Sequence, residues 1–203
     1  MPHRLKAAAL LIASTLAAGS LTGCVAPVGP VEVTRFHLPD TSMLGRGPIA
    51  VVPGPGMAAD SIEYRSWAAA VSRELARVGY VEQMAGGSSP QVAEVRVTRE
   101  AWRRDRRGSP VSVGVGGSTG SWGSGVGVGV GINLSGPPPE QVTTELSVTI
   151  RQTATRQALW EGRAHFTVSA TSPMAQTQLG AARLSAALFR DFPGRSGETI
   201  EVR

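Results

Sequence analysis

The chain contains few of the residue types on which catalytic and metal chemistry depends. Its 203 residues include one cysteine and three histidines, and aromatic residues make up only 5%. A single cysteine excludes an intramolecular disulfide and a cysteine-based structural zinc site. The only lysine, Lys6, lies near the start, so the rest of the chain has no lysine to hold a phosphate in a Walker-type loop.

Charged residues are also sparse. They account for 17% of the chain, whereas about a quarter is usual. The formal net charge of +5 falls to +3 without residues 1–23, because that stretch contains two basic residues and no acidic one. A nucleic-acid-binding domain usually concentrates basic residues on a recognisable module. We therefore expect no nucleic-acid partner, while 41% hydrophobic residues are sufficient for one packed core.

Residues 1–23 have the organisation of a lipoprotein signal peptide. A positively charged start is followed by an apolar run over 7–18, which is too short to cross about 30 Å of hydrocarbon. The run ends in a motif that resembles a bacterial lipobox, made of Leu21, Thr22, Gly23 and Cys24. The resemblance implies cleavage before Cys24 and acylation of its thiol, including with palmitate. The alternative is an ordinary signal peptide that happens to contain a cysteine.

Residues 24–30 are predicted to be a lipidated tether. Two prolines and a glycine favour an extended, irregular backbone there. Several acyl chains on Cys24 are enough for stable anchoring in a membrane. The enteric sorting rule retains lipoproteins with an aspartate after the cysteine at the inner membrane. Val25 occupies that position, so we expect an outer-membrane protein that faces the periplasm.

Residues 31–203 have the periodicities of a single α+β domain. Alternation of apolar and polar residues predicts strands over 31–36, 92–102, 146–150 and 158–168, and a short apolar run between prolines predicts a buried strand over 48–53. A further short strand is expected over 80–83. Apolar residues three and four apart predict one helix from a cap at Asp60 to Gly79, and a second helix capped by Ser172. The predicted fold is a mostly antiparallel sheet with two amphipathic helices packed on one face. Trp160 is expected to be buried against a helix, on the same strand face as Ala158, Phe166 and Val168.

Residues 108–136 differ from the rest in composition, since 11 of these 29 positions are glycine. Valines and an isoleucine alternate with glycine and serine on both sides of a predicted turn, which indicates a long β-hairpin inserted into the domain. A glycine face is nearly flat, so another backbone or sheet can approach it closely. The alternative is an insertion without a selected role.

The chain resembles a known family in several of these elements. They are the lipobox, the strand at 92–97, the strand at 146–150, the run from Ala158 to Gly162, and Phe192-Pro193 after the closing helix. Together they are similar to the periplasmic lipoproteins of the domain-of-unknown-function family 4136, over about residues 31–192. The length and glycine content of 108–136 depart from the family pattern. The resemblance implies a location and a fold, because the family has no assigned activity.

No pattern in the sequence points to catalysis. Apart from His3 in the signal peptide, the histidines are His37 and His165, which are far apart and lack metal-ligand spacing. Gly116–Gly120 matches the nucleophile motif G-x-S-x-G, but this motif requires a strand-to-helix turn and here lies inside the predicted hairpin. We therefore expect no enzyme activity, no cofactor, no metal and no small-molecule substrate.

One group of basic residues is a candidate for binding anionic lipid headgroups, because guanidinium groups suit phosphates. It consists of Arg96, Arg99, Arg103, Arg104, Arg106 and Arg107. Acidic residues lie between these arginines, which favours the alternative of a solvated strand end. The predicted function is that of a non-enzymatic, lipid-anchored module that binds an envelope protein. The alternative is an accessory subunit of a lipid or lipopolysaccharide transport or assembly system.

Overall fold

The computed structural model describes residues 28–83, 89–103, 111–120, 123–132 and 139–203, with backbone alone over 111–120 and 123–132. The predicted signal peptide, Cys24 and the first part of the tether lie outside the described residues. No helix within the described ranges is long and apolar enough to cross a membrane.

The described elements alternate along the chain in the order that the periodicities predict. They are β1 (Val31–His37), β2 (Gly47–Pro53), α1 (Ile62–Arg77), β3 (Tyr80–Gln83), β4 (Gln91–Trp102), β5 (Val111–Gly120), β6 (Gly123–Ile132), β7 (Gln141–Gln152), β8 (Ala158–Ser169), α2 (Thr177–Leu188) and β9 (Thr199–Val202). A single 3₁₀ turn, Pro173–Ala175, precedes α2.

Seven of these strands form one mixed sheet in the order β3-β2-β4-β7-β8-β1-β9. The pairings β4–β7, β7–β8, β8–β1 and β1–β9 are antiparallel, whereas β2 is parallel to both β3 and β4. The parallel pairing with β3 follows from α1, which returns the chain to the end of the sheet where β2 began. The α+β class is therefore as predicted, with β2 as the exception to antiparallel pairing.

Both helices pack on the same face of the sheet, since α1 and α2 contact each other and each contacts the strands beneath it. The core between the layers includes Trp67 and Leu75 from α1, and Leu184 and Leu188 from α2. Trp160 on β8 is fully buried beneath α2, which confirms its predicted position. The other face of the sheet carries polar and charged residues, and we refer to it as the open face.

Two helix starts differ from their predictions. The first helix is capped by Ser61 and not by Asp60, because the Ser61 hydroxyl accepts a hydrogen bond from the Tyr64 amide at 3.0 Å. Ser172 caps the 3₁₀ turn, and α2 begins only at Thr177 without a side-chain cap. The predicted end of α1 is correct, since Gly79 follows the C-cap residue with a φ of +107°.

A bulge changes the start of β8. Ala158 pairs with Arg151 and Trp160 pairs with Ile150, so Leu159 is an extra residue opposite a single step of β7. Ala158 therefore lies on the face of Arg151, and its predicted position on the face of Trp160 is wrong. Residue alternation alone does not reveal a bulge, because both neighbouring side chains are apolar.

The glycine-rich segment pairs with itself as a two-stranded sheet. The backbone of β5 runs antiparallel to that of β6, from Val111 opposite Ile132 to Gly120 opposite Gly123. Branched residues lie opposite branched residues in three pairs from Val111 to Val115, and Gly114 and Gly116 lie opposite Gly129 and Gly127, whereas Gly117 lies opposite Val126. The turn predicted over 118–124 is too long, because 118–120 and 123–124 already pair as parts of β5 and β6. Residues 121–122 lie outside the described part of the chain.

Candidate functional site

The predicted arginine cluster divides between two faces of β4. Arg96 lies on the open face, opposite Ser147 of β7. Arg99, three residues further along the strand, points to the other face, where its Nη2 lies 3.4 Å from Thr177 Oγ1. Arg103 pairs loosely with Glu140 at 3.9 Å. Arg104, Arg106 and Arg107 lie outside the described residues. The described arginines do not form one continuous surface, because Arg96 and Arg99 lie on opposite faces of the sheet.

Several chain segments converge at one end of the sheet, which we call the tether end. The antiparallel pairings place the start of β1 at Val31, the end of β4, the start of β7 and the end of β8 along this edge. Both helices also begin near this end. The helix α2 follows β8, which ends there, and the first turn of α1 lies beside Arg99 and the start of α2. The predicted tether and the glycine-rich segment are therefore attached to the same end of the domain.

A groove of about 360 Å³ lies between the two helix starts at the tether end. Its lining residues are mostly polar, and they are Ile62, Glu63, Ser66, Arg99, Gln176, Thr177 and Gln178. The Ile62 side chain is 76% exposed beside this groove. Among the described residues, Leu179 and Trp102, at 46% and 41% exposure, are the other large apolar side chains exposed at this end.

The open face is a flat array of mixed charge. His165 lies between two carboxylates in register, with its Nε2 3.5 Å from Glu32 on β1 and Glu145 opposite it on β7. Arg151 donates to Glu94 at 3.0 Å, beside a depression of about 400 Å³. Arg163 forms no ion pair with another described residue. The face therefore carries charged groups of both signs along its strands.

His37 has a structural position at the opposite end of the sheet. Its Nδ1 lies 2.7 Å from the Leu38 carbonyl oxygen and its Nε2 lies 3.2 Å from the Gly194 carbonyl oxygen. These contacts connect the end of β1 to the segment that follows α2. Because the two histidines lie at different ends and faces, the structure does not bring them together.

Sequence analysis missed Arg35, which is 4% exposed. Its Nε donates to the Leu188 carbonyl at 2.9 Å and its Nη2 to the Ala187 carbonyl at 3.1 Å, so it caps the C-terminus of α2. Desolvation lowers the pKa of the Arg35 guanidinium, and the carboxylates of Asp191 and Glu198 oppose that shift. The alternation of residues along β1 could have predicted that Arg35 is buried, because Arg35 occupies the third inward position of this strand.

Arg35 lies at the base of a cleft of about 450 Å³. The cleft is formed by the chain between α2 and β9, which wraps over the arginine. A side chain at Gly194 would collide with Arg35, since a Cβ there would lie 2.7 Å from Nη1. The guanidinium is thus enclosed by the chain itself and acts as a fold-stabilising group.

The geometry around the remaining motifs contains no assembled reactive centre. Ser118 of the G-x-S-x-G match lies in β5 opposite Gly125, and the next described element is β6 and not a helix. The described residues contain no group of three or more histidine, cysteine, aspartate or glutamate side chains that could hold a metal ion.

Comparison with known proteins identifies the family. Residues 39–194 match the family described as "Domain of unknown function (DUF4136)". The chain belongs to this family. An uncharacterised protein of Zymomonas mobilis is 28% identical over 219 residues, covering 86% of this chain and 80% of that protein.

Two solved structures are similar to the chain. A PDZ domain protein from Parabacteroides distasonis has a TM-score of 0.49 at 10% identity and matches 94% of this chain. The chain spans only 42% of that protein's length. The PelC dodecamer from Paraburkholderia phytofirmans has a TM-score of 0.43 at 12% identity, with coverage of 82% of this chain and 99% of that chain.

The motif residues that resemble the DUF4136 family pack against one another. The Trp160 indole stacks on Phe189 at a centroid distance of 5.4 Å and contacts Phe192 at 5.2 Å. Its Nε1 donates to the Pro193 carbonyl at 3.0 Å. A Cβ added at Gly162 would overlap the indole. These residues therefore form a packing cluster that fastens the end of α2 to the sheet.

Proposed function

We propose that this DUF4136 protein is a non-enzymatic, lipid-anchored module of the bacterial cell envelope, at the outer membrane and facing the periplasm. Residues 31–203 are proposed to act as one domain. The observation that supports this most directly is the short distance along the chain between the lipobox cysteine and the folded core. Val28 packs against the core, and it lies only four residues after Cys24.

The tether length restricts where the domain can lie. Four residues span at most about 14 Å when fully extended, and the seven from Cys24 to Val31 span about 25 Å. Gly29 is held as well, because its carbonyl accepts a hydrogen bond from Arg183 at 3.2 Å. An acylated Cys24 would therefore keep the whole domain next to the membrane surface.

We propose that the open face binds another protein of the envelope. The helix layer leaves this face uncovered, and the long strands β4, β7 and β8 hold its charges at fixed spacings. Mixed charge of this kind favours a polar protein partner over a lipid surface. A protein can place an opposite charge against each charge of the face, and such electrostatic complementarity gives specificity more than raw affinity.

The anchor is tested by Cys24→Ala in cells fed with labelled palmitate. We expect loss of the label and of membrane association, because no other thiol is present in the chain. Thr22→Ala is the matched control, since it keeps a small residue in the lipobox and leaves the cysteine. Equal labelling of the Cys24→Ala protein and the control would contradict the anchoring.

The binding surface is tested by photo-crosslinking in whole envelopes. A photoreactive residue replaces Ser147 or Arg163 on the open face, and Arg73 or Gln178 on the helix layer as controls. We expect a discrete crosslinked protein from the open face alone. Crosslinks only from the helix layer would contradict the proposal. Recovery of lipid-transport subunits in stoichiometric yield would favour the alternative role as an accessory subunit of such a system.

A further inference from the structure

We propose that the tether end of the domain is a membrane-contact surface that lies against the lipid leaflet holding the acyl chains. This inference rests on the proposed anchoring at Cys24. The surface is formed by the starts of α1 and α2 and by the end of β4, with Ile62, Leu179 and Trp102 as its exposed apolar side chains.

The strand geometry decides which end faces the membrane. A twelve-residue strand such as β4 is about 40 Å long at about 3.3 Å per residue. The tether from Cys24 to Val31 reaches about 25 Å at most. The start of β1 lies at the tether end, so the tether end can reach the bilayer interface while the far end of the sheet stands away from it.

Exposed apolar side chains alone do not determine which end of the domain contacts the membrane. Phe36, Met43 and Val81 are also exposed, and they lie at the opposite end of the sheet. The tether therefore determines which end of the domain faces the membrane, and the apolar residues at that end make the contact with it. The tryptophan side chain suits the headgroup region, because its ring is apolar and its N–H is polar. Aliphatic side chains suit the boundary between headgroups and acyl chains.

Charge contributes little to this contact. Nine charged described residues lie at the tether end. Five are basic and four are acidic, and they are Arg65, Arg99, Arg103, Arg183, Arg203, Asp60, Glu63, Glu100 and Glu140. Since these charges nearly balance, we expect the same orientation on zwitterionic and on anionic membranes. An arginine-driven contact would instead require anionic lipid and would weaken in high salt.

The test uses the full acylated protein in vesicles of phosphatidylcholine, with and without phosphatidylglycerol. Ile62→Cys and Val81→Cys are a matched pair, because both side chains are exposed, at 76% and 63%, and lie at opposite ends. With Cys24 acylated, the introduced thiol is the only free one and takes a fluorescent label. Lipids with a quenching group in the headgroup region then report contact with the bilayer.

We expect quenching of the label at residue 62 to exceed that at residue 81 several-fold, in both kinds of vesicle. Failure of the protein to float with the vesicles would overturn the anchoring and with it the membrane contact. Flotation with equal quenching at the two positions would overturn the contact surface alone. Quenching at residue 62 only with phosphatidylglycerol would overturn the apolar contact in favour of arginine–headgroup binding.

Discussion

The contact between Trp160 and Gly162 allows a quantitative prediction. The two residues point to the same face of β8, and the indole lies over the glycine. A Cβ at residue 162 would be 2.7 Å from Leu188 Cδ1 and 2.8 Å from Trp160 Cζ2. Neither neighbour can move easily, because the indole is stacked on Phe189 with an interplanar angle of 19° and is hydrogen-bonded to Pro193.

The expected loss of stability for Gly162→Ala follows from two opposing terms. Overpacking in a rigid core costs about 1–3 kcal/mol, and these contacts are at the upper end. Replacement of a strand glycine by alanine returns about 0.5–1 kcal/mol of backbone entropy. We therefore expect a net loss of about 2 kcal/mol in the free energy of unfolding, or about 4–8 °C in Tm for a domain of this size.

Urea unfolding of the acylated protein in detergent, followed by tryptophan fluorescence, measures this loss. Gly29→Ala is the control, since a Cβ there meets no atom within 4 Å. Trp160→Phe removes the ring atoms that would overlap, so Gly162→Ala should cost less in that background by about 1–2 kcal/mol. A Gly162→Ala protein within about 0.5 kcal/mol of the wild type would refute the packing argument.

Four other expectations follow from described contacts. Trp160→Ala should cost about 3–5 kcal/mol, and an unchanged Tm would contradict its burial. Arg35→Ala should lower the free energy of unfolding by about 2–4 kcal/mol, because two helix carbonyls lose their donor. Arg35→Lys should not restore this loss, since one ammonium group cannot reproduce the two-pronged guanidinium contact. Full stability of the Arg35→Lys protein would refute the capping role. Gly79→Ala should cost about 1–2 kcal/mol, because its φ is +107°, and an unaltered urea midpoint would refute the strain. Burial raises the pKa of Tyr64 and Tyr80. The free energy of unfolding should therefore fall as pH rises above about 10, because the tyrosines of the unfolded chain ionise there and those of the folded chain do not. Ultraviolet absorbance should show no tyrosinate in the folded protein at that pH.

The sequence was sufficient to predict the elements in which local pattern and tertiary burial agree. The apolar stripe of α1 and its glycine stop are correct, and so are the strands of the central sheet. In each case the side chains that repeat with the right period are also the ones that the partner layer covers. The strand β2 shows the limit of prediction from local pattern. Its parallel pairing depends on where α1 returns the chain and not on any residue within the strand.

The features that the sequence did not reveal depend on contacts between distant residues. The sequence analysis named no strand after the second helix, yet Thr199–Val202 forms the edge strand β9 beside β1. Arg35 was missed because a buried arginine is rare, and its partners lie more than 150 residues further along the chain. The candidate arginine cluster was a linear group, whereas the strand places Arg96 and Arg99 on opposite faces.

The packing cluster limits where a partner can bind. Trp160, Phe189 and Phe192 fill the space between the sheet and the end of α2, and Arg35 closes the last turn of the helix. Apart from Ile62 and Leu179 at the helix starts, both helices use most of their apolar residues against the sheet and each other, so a docking partner would meet mainly polar side chains along their length. Neither helix covers the open face, and its strands are held in place from behind by the packed core. A partner that binds there would meet preorganised charges and would not have to rearrange the protein, which is why crosslinking from this face is the more informative experiment.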